Sequence, residues 1–95
     1  MKLVTIICES VLEEQIVNLL TASGAHGHTA FTVRGCGSQG LRSADIAETG
    51  NVQIEVIMKP AAAEALLARL HAEFFKDFAM VAYVNDIAVL RPDKF

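Results

Sequence analysis

The chain has 95 residues, 53% of them apolar and 20% charged, which makes one globular domain and excludes both a two-domain protein and a disordered one. A net charge of −3 leaves no basic face to neutralise phosphates along a polymer, so a general nucleic-acid binder is excluded. Two cysteines cannot staple a secreted scaffold, no leader precedes the first element, and no apolar run approaches the roughly 20 residues of a membrane span; the expected compartment is the cytoplasm.

Lys2 to Cys8 is apolar on both alternations, which predicts a central strand covered on both faces. A chain this small cannot cover both faces itself, so the outer face is expected to meet another subunit. Ser10 followed by Glu13 spells a capping box, and Leu12, Ile16, Leu19 and Leu20 recur at helical spacing, so a helix is predicted from Val11 to about Ser23. Gly24 supplies its left-handed stop.

His28 to Arg34 is rich in β-formers and reads as a second strand. Gly35 to Gly50 holds four glycines without periodicity and reads as one long loop, a feature more often functional than idle in a small domain. Val52 to Met58 alternates as a third strand. Pro60 opens a second helix at the position where its missing N–H costs nothing, with Ala63, Leu66, Leu67, Leu70 and Phe74 as the buried stripe. Ala79 to Asn85 is the fourth strand, and Ile87 to Leu90 either continues it or starts a short fifth. The order, strand-helix-strand-strand-helix-strand over residues 1–95, predicts a single α+β domain of the ferredoxin-like βαββαβ type.

Several short patterns carry chemistry. Gly35-Cys36-Gly37-Ser38-Gln39-Gly40 spells G-x-G-x-x-G, but a dinucleotide fingerprint needs a helix directly after it, and here a loop follows. What survives is backbone that a ligand can approach closely, with clustered N–H groups suited to phosphate oxygens. Arg42 and Ser43 follow, a guanidinium fork and a hydroxyl able to clamp an oxyanion. His26 and His28 share a face if extended, yet two histidines without a third ligand make a poor metal site. Cys8 reads as a small core residue, whereas Cys36, between glycines, is more accessible. No nucleophile–base order and no isolated carboxylate pair stands out, so catalysis is not expected. Phe74-Phe75-Lys76-Asp77-Phe78 ends the second helix, either as core packing or as a wall for a flat heterocycle. The tail Leu90 to Phe95 is either a frayed terminus or a segment folded back over a ligand.

Together, the stretch from Gly27-His28-Thr29 through Val33 to Gly40 resembles the PII signalling proteins, whose second strand and loop opening read roughly G-x-T-x-x-x-V-x-G-x-G-R-Q-x-G. The likeness is nearer to the PII-like branch associated with bicarbonate transporters and carboxysomes. That branch has a loop opening of the form G-x-G-S-x-x-x-R-S, here Gly35 to Ser43, and a helix exit F-F-x-D-[YF]-A, here Phe74 to Ala79. The resemblance implies a homotrimer with clefts between subunits and a T-loop, about residues 38–50, that reports ligand state to a partner. It implies ADP, AMP, ATP or cyclic AMP as regulatory ligands rather than cofactors, bicarbonate as co-ligand, and a bicarbonate transporter or carboxysome-associated protein as partner. Carried over residue by residue, Gly27 and Thr29 line the adenosine, while Gly37, Ser38 and Gln39 meet the phosphates. Arg42 and Arg91 hold phosphate, Phe78 closes the nucleotide site, and Gly40, Leu41, Arg42 and Ser43 take bicarbonate.

Departures from the main family pattern are informative. Ser38 stands where it has arginine, the turn after the second helix lacks G-x-G-K, and the loop has no tyrosine, since Tyr83 is the only one in the chain. Fewer cations favour mono- and diphosphates. The alternative reading is a CutA-like trimer of the same fold that binds a divalent metal through His26 or His28.

Overall fold

Burial resolves the double apolar character of the first strand, β1 (Lys2–Glu9). Val4, Ile6 and Cys8 on one face are fully buried, whereas Leu3 and Ile7 on the other are only half-buried. The computed structural model describes residues 1–37, 40–41 and 50–95, with side chains at 1–35 and 50–95. After β1 come a 3₁₀ turn (Ser10–Leu12), α1 (Glu13–Ala22), β2 (Thr29–Val33), β3 (Cys36–Gly37) and β4 (Gly40–Leu41). They are followed by β5 (Asn51–Met58), α2 (Pro60–Glu73), β6 (Val81–Asp86) and a second 3₁₀ turn (Pro92–Lys94).

Four strands pair antiparallel in the order β2-β5-β1-β6, the ferredoxin-like arrangement that the element order predicts. The register runs from Lys2↔Met58 to Glu9↔Asn51 on one side of β1, and from Lys2↔Asp86 to Ile7↔Val81 on the other. β2 lines the far edge of β5, from Thr29↔Glu55 to Val33↔Asn51. This register stacks Val4 beside Val56, Ile6 beside Ile54 and Cys8 beside Val52 on one face. α1 and the turn before it cover that face with Leu12, Ile16, Leu19 and Leu20, and α2 with Ala63, Leu66 and Leu70, closing one core. Each fully buried Leu or Ile there contributes about 1.5–3 kcal/mol.

Among the described residues no helix covers the opposite face. It presents half-buried Leu3, Ile7 and Ile57 and exposed Phe31, Val81 and Tyr83. An apolar sheet face left open by the described residues is what the composition of β1 foreshadows.

Helix ends follow local chemistry with one exception. At the C-terminus of α1, Gly24 sits at φ 97°. Its N–H bonds the Thr21 carbonyl at 3.1 Å and the Ala25 N–H bonds the Leu20 carbonyl at 3.0 Å, a Schellman motif. Pro60 is the first residue of α2, as the sequence predicts. The capping box does not form. Ser10 and Leu12 make a 3₁₀ turn, no side chain caps either it or α1, and the Ser10 N–H bonds the Gly50 carbonyl instead. Ser10 is tied to the start of β5, so α1 begins later, at Glu13.

Three further differences from the sequence reading concern boundaries. β6 runs from Val81 to Asp86, not from Ala79 to Asn85. Ile87 to Leu90 is not a strand: the β1–β6 register ends at Lys2↔Asp86, and the Ile87 N–H takes the Met1 carbonyl as the last rung. The long loop opens with a small hairpin, with Cys36 opposite Leu41 and Gly37 opposite Gly40. The rest of the expected T-loop lies outside the described residues, apart from its last position, Gly50.

Across the β1–β6 pair, Lys2 Nζ bonds Asp86 Oδ1, and this contact holds the Asp86 carboxyl below its ordinary pKa, first by the hydrogen bond and then by the lysine charge. A depressed carboxylate pKa stabilises the fold above the ordinary Asp range and loses that contribution as pH falls through the folded-state value.

Both features can be tested by denaturation. Gly24→Ala forces an alanine into the left-handed region and is expected to cost about 1–2 kcal/mol in urea with an unchanged m-value. Asp86→Asn is expected to lower the urea midpoint at neutral pH and low salt, and the gap to the wild type is expected to close as Asp86 protonates.

Candidate functional site

The sequence singles out two segments far apart in the chain, Gly27–Thr29 and the tail with Arg91, and the fold brings them together. After the Schellman turn the chain leaves α1 through Ala25, whose side chain packs on the core, and emerges at exposed His26 and Gly27 before β2. The tail leaves β6 on the opposite edge of the sheet, then closes a short turn in which the Lys94 N–H bonds the Arg91 carbonyl at 3.1 Å. His26 Nδ1 donates to the Lys94 carbonyl at 2.9 Å and joins the two segments. The tail is therefore folded back on the chain. A carbonyl only accepts, so the Nδ1 of His26 carries the proton.

Within this region Gly27, Thr29 and Arg91 are all exposed. Thr29 opens edge strand β2 opposite Glu55. At Gly27 a Cβ would meet nothing within 4 Å, and its φ is not positive, so nothing inside the chain demands glycine there. Among the described residues, no side-chain hydrogen bond or ion pair engages the Arg91 guanidinium, which leaves a fork of donors for an anion.

Phe78 belongs to a second region. The chain leaving α2 turns tightly: the N–H groups of Asp77 and Phe78 both bond the Phe74 carbonyl, at 3.1 and 3.0 Å. This sets the Phe78 ring 6.0 Å from that of buried Phe74 and leaves Phe78 37% exposed. Phe74 is core, as its place in the stripe requires, and Phe75 pairs edge-on with His71 at 5.8 Å. No hydrogen bond or ring contact joins Phe78 to the Gly27–Arg91 region among the described residues. Gly37 and Gly40 face each other in the β3–β4 hairpin, with Leu41 beside them opposite Cys36. Ser38, Gln39, Arg42 and Ser43 lie outside the described residues.

The two histidines are not a pair. His26 is committed to Lys94, while His28 borders a groove of about 510 Å³ with Ser10, Val11, Glu13, Glu14, Val17 and Asn18. Among the described residues no three His, Cys, Asp or Glu side chains converge on a point that could hold a metal. Cys8 is fully buried on the core face of β1, as read from the sequence. Sequence reasoning assigns no role to His26 as a tie; its one signal is a polar ring beside a glycine. Its partner, a backbone carbonyl 68 residues away, leaves no trace in a sequence.

The element order and sheet topology define a small α+β domain of the ferredoxin-like type. The profile of the nitrogen regulatory protein P-II family matches residues 1–94, and the chain belongs to that family. A PII-like signalling protein from Thermus thermophilus is 36% identical, with a TM-score of 0.84 over 98% of this chain and 91% of that one. CPII, a nitrogen regulatory PII-like protein of Thiomonas intermedia solved with ADP, AMP and bicarbonate, is 28% identical. Its TM-score is 0.90 over 99% of this chain and 92% of that one. A DUF3240 family protein of Shewanella baltica shares the fold, with a TM-score of 0.73 at 20% identity over 93% and 90% of the two chains. These likenesses lend no support to the CutA alternative. Zinc titration of the wild type and of the His26→Ala, His28→Ala double variant is expected to give the same weak, non-stoichiometric heats.

Proposed function

We propose that this protein is a non-enzymatic signal-transduction regulator that binds adenine nucleotides together with bicarbonate. The observation that carries the reading is the likeness to CPII, a protein captured with ADP, AMP and bicarbonate, over nearly the whole of both chains. ADP and AMP are the favoured ligands, with ATP and cyclic AMP as further ones, because the chain lacks two cations of the main family pattern.

The active unit in this reading is a cytoplasmic homotrimer, supported by the helix-free apolar sheet face around Leu3, Ile7, Phe31 and Tyr83. Burial of such a face against other copies removes it from water. Gly27 and Thr29 line the adenosine, Phe78 closes on the ligand, Gly37, Ser38 and Gln39 approach the phosphates, and Arg42 and Arg91 hold their charge. That Gly27 has open space where a side chain would project supports close approach by something outside the chain. Bicarbonate sits at Gly40, Leu41, Arg42 and Ser43. Residues 38–50 act as the T-loop and carry ligand state to a partner, a bicarbonate transporter or carboxysome-associated protein, so that inorganic-carbon uptake follows adenylate charge.

Coupling between the two ligands has a physical basis. Each anion offsets part of the entropy of ordering the same loop, so each strengthens the other by the same factor. Calorimetry at fixed pH and ionic strength is expected to show ADP binding that tightens with bicarbonate and not with chloride. Arg42→Ala is expected to weaken ADP about ten-fold or more while leaving adenosine unchanged, since a charge-assisted contact to phosphate is worth roughly 1.5–3 kcal/mol. Absence of ADP binding, or a monomeric mass by light scattering, overturns the reading. An ADP affinity indifferent to bicarbonate reduces it to a nucleotide sensor.

A further inference from the structure

We infer that His26 is a positioning residue for nucleotide phosphate, acting through Arg91; the inference rests on the nucleotide reading above. The tail approaches the site with few hydrogen bonds to hold it, although Ile87, Val89 and Phe95 are half-buried. Beyond the Ile87–Met1 rung the chain makes no strand, and Leu90 is fully exposed. Residues Arg91 to Phe95 then form a unit closed by their own backbone, with Lys94 N–H on the Arg91 carbonyl and Phe95 N–H on the Pro92 carbonyl. Among the described residues, the hydrogen bond that joins this unit to the rest of the chain is the one from His26 Nδ1 to the Lys94 carbonyl.

The consequence is geometric. Arg91 and the accepting carbonyl of Lys94 belong to the same short turn, and Pro92 restricts the backbone between them. His26 directly precedes Gly27 in the chain. The bond therefore sets the separation between a guanidinium free to take phosphate and the segment assigned to the adenosine. Without it, Arg91 must be ordered at the moment of binding, and affinity falls by that entropy. The bond needs the imidazole proton on Nδ1, because the Lys94 carbonyl can only accept.

The experiment is calorimetry of ADP and adenosine on the intact protein with His26→Ala, His26→Asn, Arg91→Ala and the double variant His26→Ala, Arg91→Ala. A net hydrogen bond corresponds to a factor of about 2–12 in an equilibrium constant. His26→Ala is expected to weaken ADP about three- to ten-fold and leave adenosine unchanged. His26→Asn, whose amide N–H donates from a similar place, is expected to restore ADP binding to within about two-fold. In the Arg91→Ala background, His26→Ala is expected to cost nothing more, because a residue acting through Arg91 has no lever once Arg91 is gone. A ¹⁵N-imidazole spectrum of the wild type is expected to show Nδ1 protonated, a signature that needs no variant to fold. An unchanged ADP affinity in His26→Ala, a fully additive loss in the double variant, or a neutral ring protonated on Nε2 overturns the positioning role. Failure of the wild type to bind ADP at all overturns the nucleotide reading instead.

Discussion

The double pairing of β1 is the constraint on which everything else depends. β1 is hydrogen-bonded on both edges, to β5 and to β6, and its Val4, Ile6 and Cys8 side chains form the floor of the core. A one-residue slip would turn those side chains onto the helix-free face and put Leu3, Thr5 and Ile7 under the helices. The register thus decides which face the helices can cover. It also decides where the sheet runs out, and therefore where the tail leaves β6 and begins its return toward His26.

That return shows how the margins of so small a chain are fixed in place. The core commits its buried apolar side chains to one sheet face. What the fold provides beyond it is segments at its margins: the link before β2, the β3–β4 hairpin, the turn after α2 and the C-terminal turn. Each is held by hydrogen bonds to backbone, so chemistry-bearing residues project from fixed points.

The fold is legible in the sequence where burial enforces periodicity. The stripe Leu12, Ile16, Leu19 and Leu20 and the stripe Ala63, Leu66, Leu70 and Phe74 can be read because each must point into one core. The capping box at Ser10 misleads because a local pattern competes with a tertiary bond, the one from the Ser10 N–H to the Gly50 carbonyl. The end of β6 is hidden because β-propensity in Ile87 and Val89 says nothing about whether a partner strand is still present. The loop opening looks irregular although its glycines pair across a hairpin, since Gly-rich pairing leaves no alternation to detect.

The class of the fold, the two helices, the succession of strands and the family likeness around Gly27 to Ser43 can all be had from consecutive residues. They rest on local periodicity, on Pro60 and Gly24 as punctuation, and on short motifs. Which side chains share a site is a matter of tertiary structure alone. The link before β2 and the C-terminal turn meet because the tail turns at Pro92 and a histidine proton meets a backbone carbonyl 68 residues away. A contact of that kind has no period and no motif. It exists only once the register of β1 has placed both ends of the chain.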